Sequence, residues 1–167
     1  MSKRAVFILI LAGLLTAGAA AYLDGEIVQP RGVRNNNPGN LRPGPAWQGL
    51  NGDDGGGYST FYTSFWGLRA ASDNLKNYTA NDGVNTLQAV ANRWAPSGDN
   101  NDPGQYAGTL AIVSGFGVND TIDLTDPATN QLVLKGIVQA ENGLKPDGGS
   151  WYTDGELNAA VTAAMGG

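Results

Sequence analysis

Glu141 is the side chain in this sequence whose type and spacing best suit it to chemistry. Leu134, Ile137, Val138 and Glu141 fall at i, i+3, i+4 and i+7, so the acid shares a helical face with aliphatic residues that should turn toward the core. Desolvation by those neighbours disfavours the charged carboxylate, and the negative end of the helix dipole disfavours it again; both raise its pKa. A carboxyl group still protonated near neutrality is a general acid. The chain contains no cysteine and no histidine, which removes thiol chemistry, disulfides, the commonest general base and the commonest zinc ligand. Zinc peptidases, zinc amidases and Ser-His-Asp hydrolases are thereby all but excluded, and catalysis falls to carboxylates assisted by hydroxyls, amides or a metal held through oxygen. No cofactor or metal is expected. Glutamate is scarce while aspartate is common and sits mostly beside Gly, Asn or Pro in turn-like contexts, so Glu141 stands out further.

The second chemically suggestive stretch is Arg31-Gly-Val-Arg-Asn-Asn-Asn-Pro-Gly-Asn-Leu-Arg-Pro-Gly-Pro45, too rich in Gly, Pro and Asn for a helix or a central strand. As an ordered loop it would offer side-chain amides that brace turns and that also donate to and accept from a ligand with many hydroxyl and amide groups.

The elements that must position these residues are mostly helical. Asp126-Pro127 opens the Glu141 helix as N-cap and first helical residue, and Asn142-Gly143 closes it. Residues 66–78 form one amphipathic helix, with Leu68, Ala71, Leu75 and Tyr78 on its apolar face, and residues 86–94 form another, ended by Pro96. Asp102-Pro103 starts a third, with Gly115 past its end, and Thr153-Asp-Gly-Glu156 is a capping box for a short helix running to Met165. Residues 58–65 have the β-branched and aromatic content of a short strand or extended arm, and residues 47–57 read as a glycine-rich flexible excursion. There is no internal repeat. The acidic balance, with a formal net charge of -5 and no basic cluster in the sequence, argues against nucleic acid as a partner.

Residues 5–23 carry no charge and are just long enough to cross a bilayer as a helix, behind Lys3 and Arg4. The expectation is a single-pass anchor over 1–23 with the N-terminus inside, a linker over 24–30, and a working domain on the periplasmic or outer side, in a virion or a host inner membrane. A cleavable signal peptide is the alternative, since Ala19-Ala20-Ala21 follows a short apolar centre.

The stretch Arg34-Asn-Asn-Asn-Pro-Gly-Asn-Leu-Arg42 resembles the signature of phage-encoded and virion-associated peptidoglycan hydrolases with a lysozyme or lytic-transglycosylase-like fold. The likeness continues through Trp47-Gln-Gly49, Phe61 and Phe65, Gly67-Leu-Arg-Ala70, Arg93-Trp-Ala-Pro96, the polar loop before Tyr106, and Ala140-Glu-Asn-Gly143. It implies a mainly α, α+β lysozyme-like catalytic domain over 31–145, with residues 146–167 as a tail outside it. Similar glucosaminidases and transglycosylases end a buried helix with the catalytic Glu and present an Asn-rich turn, an aromatic strand and an Asp-Pro-x-x-Tyr-Ala helix later in the chain. Here Asp102-Pro-Gly-Gln-Tyr-Ala107 matches that last element while the Glu helix comes last, which implies a circular permutation that sets Glu141 beside the Asn loop. The loop that often holds Glu-Asn in such proteins reads Asp99-Asn100-Asn101 here.

The function implied is cleavage of the glycosidic bond between the amino sugars of peptidoglycan, with Glu141 protonating the leaving oxygen. Substrate assistance by the acetamido group removes the need for a second carboxylate, and in a transglycosylase the ionised Glu141 would then take a proton from the sugar hydroxyl. Asp99 is the candidate second acid if water is activated directly. Asn36, Asn37 and Asn40 would contact the substrate, the first two orienting acetamido groups, and Trp94 and Tyr106 would stack on sugar rings or brace the acid. Partners would be peptidoglycan, a membrane through residues 5–23, and other membrane or capsid proteins of a virion. The alternative from another class is a structural or glycan-binding virion protein that keeps the fold without activity.

Overall fold

The computed structural model describes residues 21–23 and 26–166. In chain order these form β1 (Ala21–Leu23), β2 (Glu26–Val28), α1 (Arg31–Arg34), β3 (Leu50–Asp53), β4 (Ser59–Phe61), α2 (Ser64–Asp82), α3 (Leu87–Trp94), a 3-10 turn (Ser97–Asp99), α4 (Pro103–Ser114), α5 (Pro127–Asn142) and α6 (Asp154–Met165). The fold is mostly helical, with two separate antiparallel pairs, β1 with β2 and β3 with β4.

The expected membrane helix over 5–23 lies outside the described residues except for Ala21–Leu23, which form a strand paired with Glu26–Val28. The linker expected over 24–30 thus includes a strand. Among the described residues no helix is long and apolar enough to cross a membrane. The longest, α2, carries Arg69, Asp73, Lys76 and Asp82 around an apolar stripe that faces other helices. A single-pass placement is therefore not supported: the described helices bury their apolar residues against one another in one core.

Local chemistry explains the helix boundaries. Asp126 accepts from Thr129 N at 2.8 Å, and Asp102 accepts from Gly104 N and Gln105 N, each with Pro at the first helical position where its missing N–H costs nothing. Thr153 and Glu156 form a reciprocal capping box. The glycine-rich excursion expected over 47–57 is instead half of a hairpin, because β3 gains the backbone hydrogen bonds of β4, with a register shift between Leu50 and Gly52.

The core is a single cluster in which Leu68 and Leu75 of α2, Leu110 of α4, Leu134 and Ile137 of α5, and Leu157 of α6 are fully buried. Burying each such side chain contributes about 1.5–3 kcal/mol. Helix α6, expected in a tail outside the domain, therefore lies within the same core, against α2 and α5.

Helix α5 is pinned at both ends by buried asparagines. Asn130 accepts from Ser72 Oγ at 2.8 Å and donates to Ser72 O and Leu124 O. Asn142 donates to Pro38 O at 2.7 Å and to Val138 O at 2.9 Å, which ties the helix end to the Asn-Pro loop. Glu141 sits one residue before that second tie, so its position is fixed from both directions along the chain.

Candidate functional site

The loop that follows α1 turns back on itself because Asn36 and Asn40 adopt left-handed backbone, with φ of 51° and 48°. Asparagine tolerates this conformation better than other non-glycine residues. Between those turns Asn37 is fully buried: its Nδ2 donates to Leu41 O and Ser59 O, and its Oδ1 accepts from Leu41 N. Asn36 Nδ2 donates to Phe61 O at 3.1 Å. Both amides thus hold the loop to β4, and the ligand-contacting role expected of Asn36 and Asn37 is replaced by a bracing one, because their donors are already bonded to backbone carbonyls. The N-terminus of α2 presses on the same loop, and it can do so only because residue 67 is glycine; a Cβ there would overlap Asn36 O.

Asn40 alone of the three expected asparagines faces the acid. Its Nδ2 donates to Glu141 Oε2 at 2.8 Å, and its Oδ1 is buried without a partner among the described residues. From α4, Tyr106 OH donates to Glu141 Oε1 at 2.8 Å. Tyr106 is itself buried, so it braces the acid from behind and offers no face for a sugar to stack on. The Trp94 indole N–H donates to Gly39 O at 3.2 Å, and its ring meets Tyr78 edge-on at 6.1 Å.

These contacts set the electrostatics. Burial raises the pKa of Glu141, and the hydrogen bonds from Asn40 and Tyr106 pull it back only in part. Burial, followed by the neighbouring Glu141 charge, pushes the Tyr106 hydroxyl well above its ordinary value, so Tyr106 remains a proton-bearing donor at every physiological pH. Of the two, Glu141 is the group whose proton is the more easily exchanged, from a pKa held above the ordinary carboxyl value by burial.

Glu141, Asn40 and Trp94 line an open groove of about 760 Å³. Asp99 lines the same groove from the 3-10 turn, half exposed and paired with Arg42 at 3.0 Å. The sequence reading found no basic cluster, yet Arg31, Arg34, Arg42 and Arg93 all line this groove. Three of them lie within twelve residues of one another in the sequence, on both sides of the Asn loop, and that local density was the available signal; Arg93 joins them only through the packing of α3. Tyr58, Tyr78 and Asn74 of the lining were also missed. Among the described residues no cluster of three or more acidic side chains could hold a metal ion.

No family model matches the chain. It is 30% identical over 152 residues to Protein P5 of Pseudoalteromonas phage PM2, an alignment that spans 87% of this chain and 90% of that protein. At that identity and coverage, the chain belongs to the family of the phage PM2 Protein P5.

Proposed function

We propose that this phage-related protein cleaves the glycan backbone of peptidoglycan, with Glu141 as the single general acid and base, and that it opens the cell wall locally during phage entry or lysis. The observation that carries the reading is a part-buried carboxyl, its pKa raised by burial, held by two neutral donors at the wall of an open groove. Glu141 would protonate the glycosidic oxygen as the bond breaks. Asn40 and Tyr106 hold the carboxyl in one orientation, and both stabilise the carboxylate that forms when the proton leaves.

Non-hydrolytic transglycosylation is preferred over hydrolysis. Asp99 is ion-paired with Arg42 on the exposed part of the groove, and a single acid that reverses its role needs no second carboxylate. The ionised Glu141 then takes the proton of the sugar hydroxyl that closes the anhydro ring.

The test is mass spectrometry of purified peptidoglycan digested by the full-length chain in oxygen-18 water, with Glu141→Gln as control. Anhydro-muramyl ends from the native chain and intact glycan from the variant are expected. Reducing ends carrying oxygen-18 would instead make the protein a hydrolase, and equal cleavage by the variant would remove Glu141 from the chemistry.

A further inference from the structure

The arginines of the groove are unexplained by acid catalysis. In a chain of net charge -5, four of its ten basic residues line one cavity. Three are stacked on rings that line it too. Arg31 Cζ lies 4.5 Å and Arg42 Cζ 5.3 Å from the Tyr58 ring centre, and Arg93 Cζ lies 4.7 Å from that of Tyr78. Stacking fixes a guanidinium plane while leaving its edge donors available, which suits the planar, two-pronged recognition of a carboxylate. The Tyr58 platform is itself held in place: Asp54 N donates to Tyr58 O at 2.9 Å, and Asn35 Nδ2 donates to Asp54 Oδ2 at 2.9 Å.

Each stacked arginine also has an acidic neighbour: Asp54 at 3.8 Å from Arg31, Asp99 at 3.0 Å from Arg42 and Asp82 at 2.9 Å from Arg93. These guanidiniums have side chains 48%, 59% and 48% exposed, respectively, so the pairs are screened by water and a ligand carboxylate can compete for them. A guanidinium carries five N–H donors, and one carboxylate partner leaves several unused. Among the described residues, the groove lining opposes its four arginines with two carboxylates, Asp99 and Glu141.

We propose that the arginine-lined groove is a carboxylate-recognition site, so that the protein selects glycan strands bearing acidic substituents, the muramyl lactyl group or the stem peptide, over neutral amino-sugar polymers. This deepens, and rests on, the reading of Glu141 as a glycan-cleaving acid.

The experiment measures equilibrium binding by calorimetry, using the full-length Glu141→Gln chain so that no ligand is consumed. Three length-matched ligands are compared: peptide-bearing glycan strands, strands stripped by an amidase so that each muramyl unit keeps a free lactyl carboxylate, and neutral chitin oligomers. At least one of the two acidic ligands should bind at least about tenfold more tightly than chitin oligomers at low salt, with the advantage shrinking as salt rises. Tighter binding of stripped strands assigns the lactyl carboxylate, which intact strands carry only as an amide; tighter binding of intact strands assigns the stem carboxylates; equal binding shows that a carboxylate from either source fills the site. Replacing Arg31→Gln and Arg42→Gln together should remove most of the preference, whereas Lys135→Gln, which deletes the same charge outside the groove lining, should leave it intact. Thermal melts establish that each variant is folded. Equal affinity for acidic and neutral ligands, or no binding of any, overturns the proposal. Selective binding without cleavage by the native chain would overturn the catalytic reading and leave this one standing, and cleavage without selectivity would do the reverse.

Discussion

Replacing Tyr106→Phe removes one oxygen from the site and leaves the buried ring in place, so it isolates the hydrogen bond to Glu141 from packing. That bond is 2.8 Å long, part-buried, and directed at Oε1 of a group that becomes charged. Hydrogen bonds to charged groups contribute about 1.5–3 kcal/mol, so its loss should raise the Glu141 pKa further. The direction follows from the donor: Tyr106 keeps its proton, favours the carboxylate over the acid, and already opposes the dominant effect of burial. The assay is a carbon NMR titration of protein labelled at the glutamate side-chain carboxyl. The chain has only three glutamates, and Glu156 is an internal reference because its pKa is lowered, chiefly by the Thr153 backbone N–H. In the variant the Glu141 midpoint should move up while that of Glu156 stays put, and the alkaline limb of glycan cleavage should move up with Glu141. An unchanged or lower Glu141 midpoint would refute the assignment of Tyr106 as the donor that restrains the acid.

Because the folded-state pKa of Glu141 is raised above its ordinary 4.5, the folded protein binds more protons than the unfolded chain between those two values. Its stability should therefore fall as pH rises through that window, whereas Glu141→Gln, which lacks the titration, should lose less, as measured by urea unfolding at a series of pH values. Asp99→Asn should retain cleavage within about threefold; a loss of about 10²-fold or more would make Asp99 a second catalytic acid. Gly67→Ala should cost about 1–3 kcal/mol in urea unfolding by driving a methyl group into Asn36 O, while Gly108→Ala, on a helical position with nothing within 4 Å, should stabilise α4 by up to about 1 kcal/mol.

The features legible in the sequence are those decided within a few residues of one another. Asp126, Asp102 and Thr153 cap their helices through bonds to residues two or three positions on, and the spacing of Leu134, Ile137 and Val138 is enough to turn Glu141 inward. The strand content around Ser59–Phe61 was visible for the same reason. By contrast, the hairpin partner at Leu50–Asp53 gave no local sign, because a glycine-rich strand is stabilised only by the ladder it joins.

What the tertiary structure alone decided is which polar groups meet. Glu141 receives its donors from Tyr106, 35 residues away, and Asn40, 101 residues away. Three neighbouring asparagines with the same side chain and loop context take different roles: Asn37 is buried against β4, Asn36 is tied to Phe61 O, and Asn40 reaches the acid. Composition cannot separate them, since the choice depends on where two left-handed turns aim each amide and on which surface lies opposite. Arg93 joins the groove for the same reason: helix α3 brings it across from α1 and the loop that carry the others, and long-range packing leaves no periodic trace in a sequence.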